Sequence, residues 1–263
     1  MRASPWHYWL VPAVAMILLG TVITVQGNQT LFLGINQLSH YTGDTLWADL
    51  TIFGNGIVIV GLTLPLIGKR PEMILPVLIA TLITALTVNG LKAYFHAPRP
   101  PAVLAADLFH VIGPAYRGGS FPSGHTATAF VFAGVVSLTF ARLWVTLAVV
   151  ALATAVGVSR MVVGVHWPVD VLAGAALGWA CAVAAFVAGA RWHRRAGDPR
   201  VQLWLSVPLY LTALALWWPH VTAYEAARPV QYAVALLALI AGAAAAPRLI
   251  RRARSGGRRP MED

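Results

Sequence analysis

Charge is what this sequence is short of. Only 11% of its 263 residues are Asp, Glu, Lys or Arg, against 58% hydrophobic. A soluble domain carries about 25% charged residues to cover its surface. The low value excludes a water-soluble globular chain and implies an integral membrane protein. Cysteine is nearly absent: Cys181 stands alone in an apolar run, which excludes an internal disulfide. Acidic residues are scarce as well, nine against nineteen basic, for a net charge of +10. Aromatic residues do not interleave with the basic ones as a base-stacking surface would require, and no nucleic-acid partner is expected.

What is present is a series of long apolar runs, each near the ~20 residues that cross a bilayer. Spans are expected over about 9–25, 51–68, 73–91, 123–140, 143–163 and 168–190. Two further candidates follow at 201–218, weakened by Pro208, and 229–246. The first run is longer than a signal-peptide core and reads as a retained anchor. Residues 26–50 read as an extramembrane connection with a short amphipathic helix, and the Pro- and Gly-rich 97–119 as a structured loop. The fold expected is therefore all-α, a six-helix transmembrane core (1–198) followed by about two extra helices and a basic tail (199–263).

The basic residues test this threading. With the N-terminus cytoplasmic, fourteen of the nineteen fall on the cytoplasmic side. They are Arg2, Lys69, Arg70, Arg142, the four arginines between 191 and 200, and the six between 248 and 259. That is the bias that orients membrane proteins, so the basic excess is a topology signal. Lys92, Arg99, Arg117, Arg160 and Arg228 remain on the other face, and three of them belong to polar clusters.

Those clusters are Lys92-x6-Arg99-Pro100, Pro122-Ser123-Gly124-His125, and Ser159-Arg160-x5-His166-x3-Asp170. All three fall on the same outer face. Ionisable groups at a bilayer are costly, and their presence marks function by default. Lys92 alone would read as a cation snorkelling to the interface. Lys92, Arg99 and Arg160 together suit a phosphate dianion, which needs several fixed donors. Pro122 to His125 opens a helix, whose N-terminus attracts anions, and Gly124 permits close backbone approach. An ordinary capped helix start would explain the first three of those residues, but not His125. His166 and Asp170, four apart around Pro168, can pair so that the carboxylate fixes the imidazole tautomer. A structural His–Asp pair would look the same in isolation. His40, His96 and His110 lie on the same face, whereas His7, His193 and His220 fall near interfaces. No histidine spacing suits a zinc site, so neither a catalytic metal nor any other cofactor is expected.

As KAYFHAPRP, PSGH and SRMVVGVHWPVD, these segments resemble the signature of the type 2 phosphatidic acid phosphatase superfamily, which includes the vanadium haloperoxidases. The likeness is strong over residues 92–170 and looser over the six-helix core. It implies that His166 is the nucleophile forming a phosphohistidine, that Asp170 orients it, and that His125 protonates the leaving oxygen. Lys92, Arg99, Ser123, Gly124 and Arg160 would bind the phosphoryl group, and hydrolysis would need no metal. The expected protein is a lipid phosphatase of a bacterial-type inner membrane with its site on the periplasmic or extracellular face. Undecaprenyl diphosphate is the first substrate expected, on family analogy. Two alternatives stand beside it, a lipid phosphotransferase using the same histidine and a non-catalytic phosphate-binding transporter or scaffold. A site embedded in lipid suits lipid substrates better than halide oxidation. The resemblance gives the two extra C-terminal helices no role.

Overall fold

The computed structural model describes residues 6–189 and 193–255, so Arg2, Arg191, Arg258 and Arg259 of the topology argument lie outside the described residues. The described residues form helices and no strands. In order these are α1 (Trp6–Thr24), α2 (Asn28–Asn36), α3 (Leu38–Thr42), α4 (Asp44–Ile52), α5 (Gly56–Leu62) and α6 (Ile74–Phe95). Next come α7 (Pro100–Val103), α8 (Gly124–Phe140), α9 (Leu143–Val162), α10 (Pro168–Gly189), α11 (His193–Ala196), α12 (Pro199–Ala215) and α13 (Arg228–Ser255).

At the centre is α8, enclosed by α6, α9 and α10. Its approach to α10 depends on small residues repeating every four positions, which let two helix backbones come close. An added Cβ at Gly174 would lie 2.6 Å from the Ser123 carbonyl oxygen, and one at Gly178 2.0 Å from that of Ala127. One turn on, the pattern reverses, and Gly134 of α8 makes room for Ala182 of α10. This contact sets the start of α8 beside the start of α10, where two of the three polar clusters lie.

Most of the expected spans are helices, with boundaries within a few residues except at the end of α13. The count of six plus two is not confirmed. Among the described residues four segments are long and apolar enough to cross a membrane: 71–103, α9, α10 and 225–254. Two bent pairs could each supply one more, giving up to six. One is α1 with α2 and α3, bent by 107°; the other is α4 with α5 and its 3-10 extension to Leu66, bent by 67°. With 17 residues α8 is short for a full crossing, and α12, with Pro208 inside it, is not among the candidates.

The expected second span, 51–68, needs the largest correction. Its helical run begins at Asp44 and breaks at residues 53–55. Gly54 lies against His125, where an added Cβ would meet the His125 Cβ at 2.6 Å. Asn55 then restarts the helix as the N-cap of α5, its Oδ1 accepting from the Ile57 N–H at 2.8 Å. The chain bends where it meets the first turn of α8. Similarly, residues 26–50 make three short helices rather than one. Asn36, fully buried, donates from Nδ2 to the carbonyls of His110, Met161 and Val162 and so fixes α2 to the end of α9.

One end of the bundle collects the basic residues. Arg70 lies over the Phe140 ring at 4.9 Å, and Lys69, Arg248 and Arg252 line one cavity. The polar clusters gather at the opposite end.

Candidate active site

Three connections build the site: the loop after α6, the start of α8, and the turn from α9 to α10. Each is tied to the next by backbone groups. The Ser123 N–H donates to the Asp170 carbonyl at 3.0 Å, the Ser120 N–H to the Ala97 carbonyl at 2.9 Å, and the Arg99 N–H to the Arg117 carbonyl at 2.9 Å. Trp167 Nε1 reaches the Pro98 carbonyl at 3.0 Å. The three clusters are thus joined before any ligand arrives.

His166 occupies the α9–α10 turn and is 1% exposed. Gly164, with φ +81, makes that turn; a Cβ there would strike the His110 carbonyl oxygen at 2.6 Å. His166 Nδ1 lies 3.3 Å from Asp170 Oδ2. The same oxygen accepts from Ser120 Oγ at 2.5 Å and from the Trp167 N–H at 2.8 Å. The two shorter bonds fix the carboxylate, and the carboxylate in turn holds the imidazole. With Nδ1 protonated toward Asp170, Nε2 keeps its lone pair. Burial holds the His166 imidazole well below its usual pKa, and the charges of Arg99, Arg160 and Lys92, with His125, push the same way. Both effects favour the neutral imidazole. Those four groups act on His166 because they converge on it.

The cations are not equivalent. Arg99 is 8% exposed, and its guanidinium donates to the carbonyls of Gly118, Val165 and Gly119. It braces the loop as well as supplying charge. Arg160, 2% exposed, gives Nη1 to Thr51 Oγ1 and Tyr224 Oη, while its buried Nε has no partner. Leaving such a group unpaired costs about 1–3 kcal/mol, a cost that a bound anion would remove. Lys92, half-buried, makes no side-chain hydrogen bond among the described residues, and its stem lies near Gly119.

Ser123 is the N-cap of α8, fully buried, with Oγ accepting from the N–H and hydroxyl of Thr126. Gly124 and His125 follow in the first helical turn. His125 is half-buried and makes no side-chain hydrogen bond among the described residues. Beside it opens a cavity of about 230 Å³, lined by Lys92, Gly124 and Thr128 and reaching down α6 to Thr84 and Thr81.

All eight residues singled out from sequence therefore collect at one end of the bundle. The other histidines on that face do not join them. His96 is exposed at the end of α6, and His110 pairs with Asp44 at 2.8 Å, with His40 beside it. Sequence reasoning missed Ser120, Thr51 and Tyr224. Ser120, three residues before Ser123, offered a signal by its nearness to the second cluster; Thr51 and Tyr224, 109 and 64 residues from Arg160, offered none. Among the described residues no three His, Cys, Asp or Glu side chains come together as metal ligands.

Comparison with known proteins finds relatives for the chain. LpxE of Aquifex aeolicus has a similar solved structure, at 34% identity and a TM-score of 0.53, covering 60% of this chain and 93% of that one. The undecaprenyl-diphosphatase of Sulfolobus acidocaldarius is 28% identical over 66% of this chain and 86% of its own length. The lipid A 1-phosphatase of Rhizobium etli is 28% identical over 63% of this chain and 75% of its own. The family model described as PAP2 superfamily matches residues 73–194, the stretch from the foot of α6 past the end of α10 that brings the three clusters together. On these grounds the chain is a multi-pass membrane protein that belongs to the PAP2 superfamily.

Proposed function

We propose that this protein hydrolyses a lipid phosphate at the outer face of a bacterial-type inner membrane, through a phosphohistidine at His166. The observation that carries the reading is His166 itself: buried, held by Asp170 through Nδ1, and within the field of three cations. Its Nε2 attacks phosphorus while Lys92, Arg99, Arg160, the Ser123 hydroxyl and the Gly124 amide gather the phosphoryl oxygens. The phosphorus–oxygen bond to the lipid breaks, and His125 supplies the proton that the leaving oxygen needs. Water then enters, His125 takes its proton, and inorganic phosphate departs as His166 regains its lone pair. Asp170 keeps the imidazole oriented and stabilises the positive charge it carries in the intermediate. The chemistry needs positioned charge and one nucleophile, and no step calls for a metal.

Relatives that act on undecaprenyl diphosphate and on lipid A support the lipid phosphate class. Transfer of the phosphoryl group to a second lipid would use the same first half-reaction. A non-catalytic binding site would need the cations but not the Asp170–His166–His125 set. The outer-face assignment is supported by the separation of the site from Lys69, Arg70 and the α13 arginines. Reporters at Ala105 and after Asp263 should report opposite sides, the first external; one side for both would reject it.

The central test is rapid quench with labelled lipid phosphate and excess chelator. An acid-labile, base-stable adduct is expected on His166, absent in His166→Ala along with turnover. Activity abolished by chelator and restored by a divalent ion would overturn the metal-free mechanism. Absence of any adduct in the active wild type would favour direct attack by water.

A further inference from the structure

The site leaves one cation with an unexplained support. Arg160 joins the site from the last turn of α9, and both partners of its Nη1 come from elsewhere in the chain. Thr51 Oγ1, from α4, lies at 2.5 Å, and Tyr224 Oη, from the connection between α12 and α13, at 2.8 Å. The family model matches 73–194, so both lie outside it. We propose that Tyr224, with Thr51, positions Arg160 for phosphoryl binding, so that the C-terminal helix pair completes the active site. This rests on reading Arg160 as a phosphoryl ligand.

The pattern of used and unused nitrogens carries the argument. A guanidinium offers five N–H donors in a rigid plane. The two on Nη1 go to two hydroxyl oxygens. Nε is buried without a partner, and Nη2 makes no hydrogen bond among the described residues. What remains is the Nε–Nη2 edge, the parallel fork that fits two oxygens of one phosphoryl group. Both acceptors are neutral, so they set the direction of the plane without cancelling its charge. A carboxylate in either place would have formed an ion pair and weakened the arginine as an anion ligand.

Tyr224 can hold the guanidinium only if it is held itself, and its loop is built for that. Gln231, fully buried one turn into α13, donates from Nε2 to the carbonyls of Leu216 and Trp218 and accepts from the Thr222 hydroxyl. From the break between α4 and α5, Asn55 Nδ2 reaches the Val221 carbonyl at 3.2 Å. The Tyr224 ring, 4% exposed, packs with Trp47, Ile52, Val163 and Val165 next to the His166 turn. Gly113, with φ +79, makes room for it, since an added Cβ would lie 3.0 Å from two ring carbons. Tyr224 is also near enough to Arg99 to act on it electrostatically. The loop from 216 to 227 is therefore fixed on three sides and presents one hydroxyl to the site.

The test uses the full chain in detergent with Tyr224→Phe, which keeps the ring and removes the acceptor. Inorganic vanadate is the probe, its Kd read by calorimetry beside kcat/KM for a lipid phosphate. The dissociation constant should rise, and kcat/KM should fall, by roughly tenfold or more, as for loss of a hydrogen bond to a charged group. The fold should persist, with at most a modest fall in thermal stability from the Nη1 donor left unpaired. In an Arg160→Lys background the same substitution should have little further effect, because the geometry it preserves is gone. A change under twofold in the Arg160 background, or an equal loss in both, would overturn the proposal. Should Tyr224→Phe fail to fold, Thr51→Val makes the same test from the other hydroxyl. A wild type that binds vanadate yet hydrolyses no lipid phosphate would reject the hydrolase reading, while the vanadate series would still decide the role of Tyr224.

Discussion

His166 sits in the turn between α9 and α10, 1% exposed, its Nδ1 facing a carboxylate that two other groups already hold. His125 stands in the first turn of α8, half-buried, with no side-chain hydrogen bond among the described residues, beside a cavity of about 230 Å³. One imidazole has a fixed tautomer and a fixed direction; the other has freedom and an opening. The difference matches what two steps of a phosphoryl transfer require. A nucleophile must meet phosphorus in line, and small errors of placement are costly. A proton donor serves a leaving oxygen whose attached lipid must enter and depart, so it belongs at the open side. The cations divide in the same way. Arg99 and Arg160 are buried and braced on the His166 side, while Lys92 lines the cavity with no side-chain hydrogen bond among the described residues.

The sharpest way to break this comparison is to release the fixed histidine. Asp170→Asn should lower kcat by as much as about 10⁴-fold, the scale seen when the orienting carboxylate of a catalytic histidine is replaced by an amide. The fold should survive, since the amide oxygen can still accept from Ser120 and Trp167, but the negative charge that fixes the tautomer and stabilises the charged imidazole is lost. A loss under tenfold in single-turnover phosphoenzyme formation would mean that His166 does not depend on being held. The open histidine should behave differently. His125→Ala should cost about 10²–10⁴-fold with an alkyl phosphate, the usual worth of a general acid. A substrate whose leaving group has a low pKa should recover most of that loss in His125→Ala and none of it in His166→Ala. Equal rescue of both variants, or a phosphoryl group trapped on His125, would reverse the two roles.

Much of this site was legible in the chain because its chemistry is local. Pro122 to His125 is a helix start whichever way the rest folds, and His166 and Asp170 are joined by a single turn. The shared face followed from counting apolar runs between the clusters. What stayed hidden depends on distant contacts. The break at residues 53–55 falls where Gly54 meets His125, and an apolar run such as 51–68 carries no mark of so distant a neighbour. Asn55 could have been read as a helix start, but Ile57 to Leu62 continues the hydrophobicity on the far side. Tyr224 is the extreme case, since a tyrosine after a proline-interrupted helix looks like an interfacial aromatic. The part of Arg99 in bracing its own loop was hidden for another reason: its acceptors are backbone carbonyls, which every sequence has.

The smallest expected effect concerns protonation, and it sharpens the contrast between the held histidine and a solvent-exposed one. Burial lowers the His166 pKa well below the ordinary value of about 6.5, and Arg99, Arg160 and Lys92 lower it further. In the unfolded chain His166 would take up a proton as pH falls through about 6.5, while in the folded, ligand-free protein it stays neutral to lower pH. Below 6.5 the unfolded state therefore binds the extra proton. The stability associated with this group is full above that pH and declines as pH falls, by at most about 1.4 kcal/mol per pH unit for one proton. Thermal unfolding in detergent should accordingly show a weaker acid dependence in His166→Gln than in the wild type between about pH 6.5 and 5. Histidine-selective NMR of the ligand-free protein should find the His166 ring titrating well below pH 6.5. Bound vanadate, by offsetting the three cations, should move its pKa back upward. A His166 that titrates near 6.5 without ligand, or one indifferent to vanadate, would mean that the cations do not converge on it.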